Sequence, residues 1–161
     1  MSDMNKFVVS IPNDAFSQDE LLLNIQNGIV RHNAISWAAE NGYIEITKAL
    51  ITLGAIVNEN QNYPLELASR NGHTEIVKIL LDAGANTYDS KSSEGYCLRM
   101  AANNGYTDIV KLLLNAGANP MADNYFALYL ALARGHMDIV EILLDSICEK
   151  RRITPHATMN R

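Results

Sequence analysis

The chain has 161 residues and a mass of 17.8 kDa, the size of one ordinary domain. Hydrophobic residues make up 48% and charged residues 19%, so the chain has enough apolar material to bury a core. The net charge is −5, and because the last 13 residues carry +3, residues 1–148 carry −8. A body this acidic is a poor general binder of nucleic-acid phosphates, and we expect no nucleic-acid partner.

Cysteine usage and hydropathy exclude further classes of protein. Cys97 and Cys148 are the two cysteines, and neither lies in a zinc-ligand spacing. The longest apolar runs have about five residues, too short for a membrane helix or a signal peptide. We therefore expect a soluble single-domain protein without cofactor or metal, in the cytoplasm of its own cell or of a host cell, with no membrane insertion.

The first predicted element is a helix in the N-terminal segment, residues 1–32. Ser17 is followed three residues later by Glu20, a capping-box pattern, and an apolar run follows directly. The pattern predicts a helix over residues 17–27 that caps the element after it.

One sequence pattern then recurs four times between residues 33 and 148. Its glycines are separated by steps of 30, 33 and 30 residues and are Gly42, Gly72, Gly105 and Gly135. Such a period predicts a stacked repeat protein, in which no unit buries its apolar face alone. We place the repeats at residues 33–62, 63–95, 96–125 and 126–148.

Each repeat predicts two short helices. The first is rich in alanine and ends at the glycine, which adopts a left-handed conformation at no steric cost. The second begins with an acid and continues as an Ile-Val-x-x-Leu-Leu stripe, apolar on one helical face. Lysines three residues after those acids, Lys48, Lys78 and Lys111, are expected on the solvated side.

The pattern resembles the ankyrin repeat over roughly residues 33–147. Residues 72–86 match that family closely, with Gly-His, a small residue, an acid, Ile-Val, Leu-Leu, Gly-Ala and Asn in order. The resemblance implies an all-α ankyrin-repeat solenoid of about four helix-turn-helix repeats with an N-terminal capping helix. The family's Thr-Pro-Leu-His opening is replaced in every repeat, so the hydrogen bonds that this Thr and His make are not carried over. The 30-residue period with Tyr or Phe at the opening is similar to the variant found in amoebal giant viruses and amoeba-infecting bacteria.

Catalytic chemistry is not visible, and we expect no enzyme. None of the nucleophile-elbow, P-loop, zinc-protease or EF-hand motifs is present. His73 and His136 occupy one repeat position at which ankyrin proteins use histidine structurally. Trp37 aligns with apolar residues of the other repeats and is expected in the core, and Cys97 is expected to be buried.

The resemblance implies protein binding, since ankyrin proteins usually contact partners with a concave side formed by loop tips and the first helices. We expect a scaffold, adaptor or stoichiometric inhibitor that binds a protein and is itself monomeric. Carried over by register, the binding residues are Ser36, Glu40, Asn41, Asn60, Asn62, Glu66, Arg70, Asn71, Arg99, Asn103, Asn104, Tyr125, Tyr129 and Arg134.

Several alternatives stay open. Residues 149–161 form a basic segment, predicted to be a flexible tail, which could recruit a second factor and make the chain a bridging adaptor. A self-associating unit would show as oligomers in solution. The loop over residues 86–95 is longer than its counterparts and either contacts the partner or only lengthens its repeat. Asn58 and Thr154 lie in segments that resemble sites of asparaginyl hydroxylation and of phosphorylation.

Overall fold

The computed structural model describes residues 34–58, 63–87 and 95–153, and these residues form helices joined by turns. The predicted N-terminal helix lies outside the described residues. The all-α fold class is confirmed. The helices, in chain order, are α1 (Ala34–Asn41), α2 (Ile44–Thr52), α3 (Tyr63–Asn71), α4 (Thr74–Asp82), α5 (Tyr96–Asn104), α6 (Thr107–Asn115), α7 (Ala122–Arg134) and α8 (Met137–Ile153).

The chain divides into two compact units, each with two helix-turn-helix repeats. Unit 1 is Met1–Asn86 and unit 2 is Thr87–Arg161. In unit 1, α1 packs against α2 and α3, while α4 packs against α2 and α3. Unit 2 repeats this arrangement with α5, α6, α7 and α8. Each first helix therefore lies between its own second helix and the first helix of the neighbouring repeat.

The cores of the units are built from the stripe that the sequence predicts. Each second helix buries an Ile and a Leu four residues apart, which lie on one helical face. These side chains are 0% exposed and are Ile46, Leu50, Ile76, Leu80, Ile109, Leu113, Ile139 and Leu143. The three predicted lysines are exposed, and Lys48 pairs with Glu45 at 3.0 Å. Burial of these aliphatic side chains, at roughly 1.5–3 kcal/mol each, is the main force that holds each repeat together.

A glycine joins the two helices of a repeat and makes room for the next repeat. Gly105 ends α5 with φ +78°, and the ring of His136 from the following repeat lies directly beside it. A Cβ built on Gly105 would lie 2.7 Å from a carbon of that ring. His136 could not stay in this position beside any larger residue.

Helix α8 is longer than the other second helices. It has 17 residues, whereas α2, α4 and α6 have nine each. The sequence predicts that this helix runs on towards Lys150, and it continues to Ile153, so residues 149–153 of the segment predicted as a flexible tail belong to α8. Lys150 Nζ donates to the carbonyl oxygen of Ala118 at 2.9 Å, and Arg151 Nη2 donates to the hydroxyl of Tyr125 at 2.8 Å. These basic side chains help to hold α8 against the rest of unit 2.

The contact between Gly105 and His136 predicts unequal effects of two glycine substitutions. Gly105 and Gly135 have nearly the same φ, +78° and +77°, but a Cβ on Gly135 would meet nothing within 4 Å. Both alanine substitutions introduce left-handed backbone strain of about 1–2 kcal/mol. We expect Gly105→Ala to cost about 1–2 kcal/mol more, because the His136 ring must move and weaken its hydrogen bond. Urea unfolding measures the free energy of unfolding of both variants.

A His136→Ala background provides the control for this comparison. Without the ring, Gly105→Ala and Gly135→Ala should lower the free energy of unfolding by similar amounts. A difference that persists in this background would contradict the steric explanation.

Asp138 predicts a dependence of stability on pH. The Thr107 hydroxyl donates to its carboxylate and lowers the pKa of this group below its ordinary 3.8. Because the folded-state pKa lies below the unfolded one, the stabilisation is present above about pH 4 and is lost as the pH falls through the folded value. Thr107→Val should therefore destabilise unit 2 at neutral pH, and less so in acid, as measured by urea unfolding across that range.

Thr52→Val is the matched control, because its hydroxyl donates to the Lys48 carbonyl rather than to a carboxylate. Its effect should not vary with pH over the same interval. Equal pH profiles for the two variants would contradict the role assigned to Thr107.

Candidate functional site

In unit 1 the predicted binding residues converge on the end of α1. Glu40 Oε1 pairs with Arg70 Nη2 at 3.3 Å, with both side chains close to half exposed. The carbonyl oxygen of Glu40 accepts from Asn71 Nδ2 at 2.9 Å and from His73 Nε2 at 3.0 Å. Three side chains of repeat 2 therefore hold one residue of repeat 1. An ion pair this exposed contributes at most about 1 kcal/mol, so the carbonyl contacts carry more of the coupling.

Other predicted residues of unit 1 differ in accessibility. Asn41 is exposed, and its Nδ2 donates to the carbonyl of Trp37 at 2.9 Å. Glu66 is half-buried. Ser36 is only 3% exposed, so its inclusion in the binding face is a mistake: a partner cannot reach this hydroxyl in the folded chain. Asn60 and Asn62 lie outside the described residues.

The same convergence occurs in unit 2 with different side chains. Asn103 stands at the position of Glu40, and its Oδ1 accepts from Arg134 Nε at 3.1 Å. The carbonyl oxygen of Asn103 accepts from His136 Nε2 at 3.3 Å, and Asn103 Nδ2 donates to Asn104 at 3.1 Å. The histidine of the later repeat thus binds the equivalent carbonyl in both units. These hydrogen bonds give His73 and His136 the structural role that the sequence predicts.

Arg99 is an anchor within the fold. Its side chain is 12% exposed and forms an ion pair with Asp123. Its guanidinium carbon lies 5.6 Å from the ring centres of both Tyr96 and Phe126, close enough for a cation–π attraction to each. Sequence register placed Arg99 on the binding face, but it gave no sign of Asp123. Arg99 therefore fixes the positions of two rings.

An unusual backbone segment precedes the exposed part of α7. Asp123, Asn124 and Tyr125 have φ values of 50°, 55° and 63°, so the regular helix begins at Phe126. Asp and Asn tolerate this left-handed conformation, whereas it strains the backbone at Tyr125. The ion pair of Asp123 and the hydrogen bond from Arg151 to the Tyr125 hydroxyl oppose this cost. The sequence predicts a binding role for Tyr125 but gives no sign of its contact with Arg151.

Two exposed aromatic rings lie on α7, and one of them, Phe126, lies against the guanidinium of Arg99. Phe126 and Tyr129 stack with ring centres 5.9 Å apart and an angle of 8° between their planes. Phe126 is 39% exposed and Tyr129 is 63% exposed. The predicted binding residues include Tyr129 but not Phe126, although two aromatic residues three apart on a helix indicate such a pair.

The two cysteines differ in exposure. Cys97 is buried, as predicted, and Cys148 is exposed. Within residues 34–58, 63–87 and 95–153, no three His, Cys, Asp or Glu side chains form a group that could hold a metal ion. In the same residues, no helix is both long enough and apolar enough to cross a membrane. Asn58 donates to the Gly84 carbonyl at 3.2 Å and accepts from the Asn86 amide at 2.9 Å, so both ends of its amide are used.

Comparison with known proteins agrees with this arrangement. Models of protein families match residues 7–91 and 87–154 to ankyrin repeats (3 copies). No curated protein sequence matches the chain. The match does not bear on the viral or bacterial variant, which stays a prediction. The helix-turn-helix repeats are coupled by a contact pattern that recurs in both units. Together with the family match over most of the length, this shows that the chain belongs to the ankyrin repeat family.

Proposed function

We propose that this chain, like ankyrin repeats in general, serves as a protein–protein interaction module. It is a non-catalytic member of the family that acts as a scaffold, adaptor or stoichiometric inhibitor. It binds its protein partner through the exposed sides of the first helices, which belong to the concave face in ankyrin proteins. The observation that carries the proposal is the exposed stack of Phe126 and Tyr129 on α7.

The stack has the properties of a binding hot spot. Exposed aromatic rings supply a large contact area at little cost in side-chain entropy, and Tyr is enriched among residues that dominate binding energies. The Phe126 ring is positioned before a partner arrives, because the guanidinium of Arg99 lies against it and Asp123 holds the guanidinium. Preorganisation of this kind lowers the entropy that binding must overcome. A partner would gain contact area here without ordering the surface first.

Two exposed arginines at the ends of first helices, one in each unit, have a different role in this proposal. Arg70 and Arg134 are exposed, and each already bonds to a side chain of the preceding repeat. A partner that recruits them must compete with these contacts, so their net contribution to affinity is small. They select partners by charge, while the rings supply affinity.

The experiment is affinity capture from source-cell lysate with quantitative mass spectrometry. It compares wild type, Phe126→Ala/Tyr129→Ala, and Leu53→Ala, an exposed apolar residue at the end of a second helix. All three chains are first shown to be folded by circular dichroism. We expect a protein retained by wild type and Leu53→Ala to fall at least about tenfold with the double variant. Equal retention by all three chains would refute the assignment to this surface.

The alternative of a bridging adaptor is separated by a truncation. Lys150 and Arg151 make contacts within unit 2, so deletion from residue 149 would disturb α8 itself. Deletion of residues 154–161 leaves these contacts in place. We expect the captured partner and any protein bound through it to be retained. Loss of a second protein with the first still bound would instead support the bridging role.

A further inference from the structure

The end of repeat 4 exposes large apolar side chains at positions that earlier repeats cover. Leu132, Met137 and Leu144 are 52%, 62% and 46% exposed, and we call these three residues the end face. At the repeat position of Leu132, Ala39 and Ala102 are 0% exposed, because the next repeat of the same unit packs against them. Apolar area of this kind is uncommon at the end of a repeat stack, where a polar surface is expected.

A fifth repeat stacked in the same register is a poor fit to the end face. The space that a following repeat occupies beside Ala39 and Ala102 is filled in repeat 4 by the larger side chain of Leu132. In addition, α8 continues to Ile153, whereas α6 ends at Asn115 and leads into the next repeat. The end face therefore suits an occupant other than another repeat.

The exposed side of α8 has the pattern of a helix-pairing seam. Met137, Glu141, Leu144 and Cys148 follow one another at steps of four, three and four residues, and all four are exposed. Apolar residues at this spacing align along one side of a helix and pack against a second helix. Three of the four residues are apolar or weakly polar, with Leu144 near the middle. One side of α8 thus carries an exposed seam.

The charges on α8 indicate which helix would pair with it. The first part of the helix carries Asp138, Glu141 and Asp145, and the last turn carries Lys150, Arg151 and Arg152. Two copies of α8 running antiparallel place the acidic part of each against the basic turn of the other, whereas parallel copies oppose like charges. Helix α8 is therefore complementary to itself in the antiparallel direction.

Lys150 binds the Ala118 carbonyl within unit 2, so the pairing relies on Arg151 and Arg152, and the contacts of Asp138 and Arg151 inside the chain do not neutralise them. The Asp138 carboxylate accepts from the hydroxyl of Thr107, and Arg151 donates to the hydroxyl of Tyr125. Hydroxyl groups are neutral, so neither contact cancels the charge. We propose that two copies of this chain form a symmetric dimer by antiparallel pairing of α8, with the end faces buried between them. Such a two-fold interface uses the same surface on both copies and closes without forming a filament.

Sedimentation equilibrium tests the proposal with the full chain. The wild type should rise from 17.8 kDa towards twice this mass as concentration increases from micromolar to millimolar. Leu144→Glu should weaken dimerisation at least about tenfold, because it places two like charges near the centre of the interface. Leu53→Glu is the matched control, since Leu53 is 44% exposed but lies at the end of α2.

A wild-type chain that remains monomeric throughout would overturn the proposal and leave the end face to a different protein. So would equal effects of Leu144→Glu and Leu53→Glu. Phe126→Ala/Tyr129→Ala should dimerise like the wild type, so a failure of the proposed partner surface and a failure of this dimer are distinguishable.

Cysteine cross-linking tests the direction of pairing. In the antiparallel dimer centred near Leu144, the two Cys148 residues lie about 10 Å apart along the helix axis at 1.5 Å per residue. This exceeds the Cα separation of roughly 7 Å that a disulfide tolerates. Wild type should therefore give little disulfide dimer on oxidation, whereas Glu141→Cys should give much, because position 141 lies opposite Cys148 of the second copy.

Glu141→Cys/Cys148→Ser is the control and should lose the cross-link, since the two copies of position 141 are also far apart. Efficient cross-linking of the wild type through Cys148, with no gain in Glu141→Cys, would show parallel pairing and overturn the proposal.

Discussion

The contact on which the repeats depend is a histidine ring placed between a glycine and a backbone carbonyl of the preceding repeat. His73 binds the carbonyl of Glu40, and His136 binds that of Asn103. A carbonyl oxygen can only accept, so Nε2 carries the proton in both rings. The ring fits because the glycine that ends the preceding first helix has no Cβ. One residue thus satisfies a helix-end carbonyl and fixes the spacing between neighbouring repeats.

This coupling gives the binding surface its rigidity. The carbonyls lie at the ends of α1 and α5, so each ring holds the outer face of a first helix in a defined position. In unit 2, Arg99 and Asp123 then fix the Phe126 ring on the neighbouring helix. Side chains held in this way lose little entropy when a partner binds. In the part of the chain that the structure describes, the end face of repeat 4 stays exposed beside this packing.

The sequence predicts the repeats well because their signal is periodic. Glycine spacing, alanine-rich first helices and the Ile-Val-x-x-Leu-Leu stripe recur in register, and the buried faces of α2, α4, α6 and α8 follow from them. The predicted binding face is less accurate at single residues. Register selects a side of the helix, but it did not show that Ser36 is buried, since a small hydroxyl side chain suits either environment.

Some contacts between residues far apart in the sequence could not be predicted from it. Arg99 with Asp123 and Arg151 with Tyr125 join residues more than 20 positions apart, and no pattern in the chain pairs them. The left-handed backbone at Tyr125 is also invisible, because this residue type rarely adopts it. All three features depend on contacts between residues far apart in the sequence, which local sequence patterns do not show.

Long-range nitrogen–proton NMR spectra of the histidine rings test the central contact most directly. In the neutral form of each ring, we expect His73 and His136 to be protonated at Nε2, with slowly exchanging ring protons. Protonation of either ring at Nδ1, or rapid averaging between the two forms, would contradict a histidine held against the carbonyl of the preceding repeat.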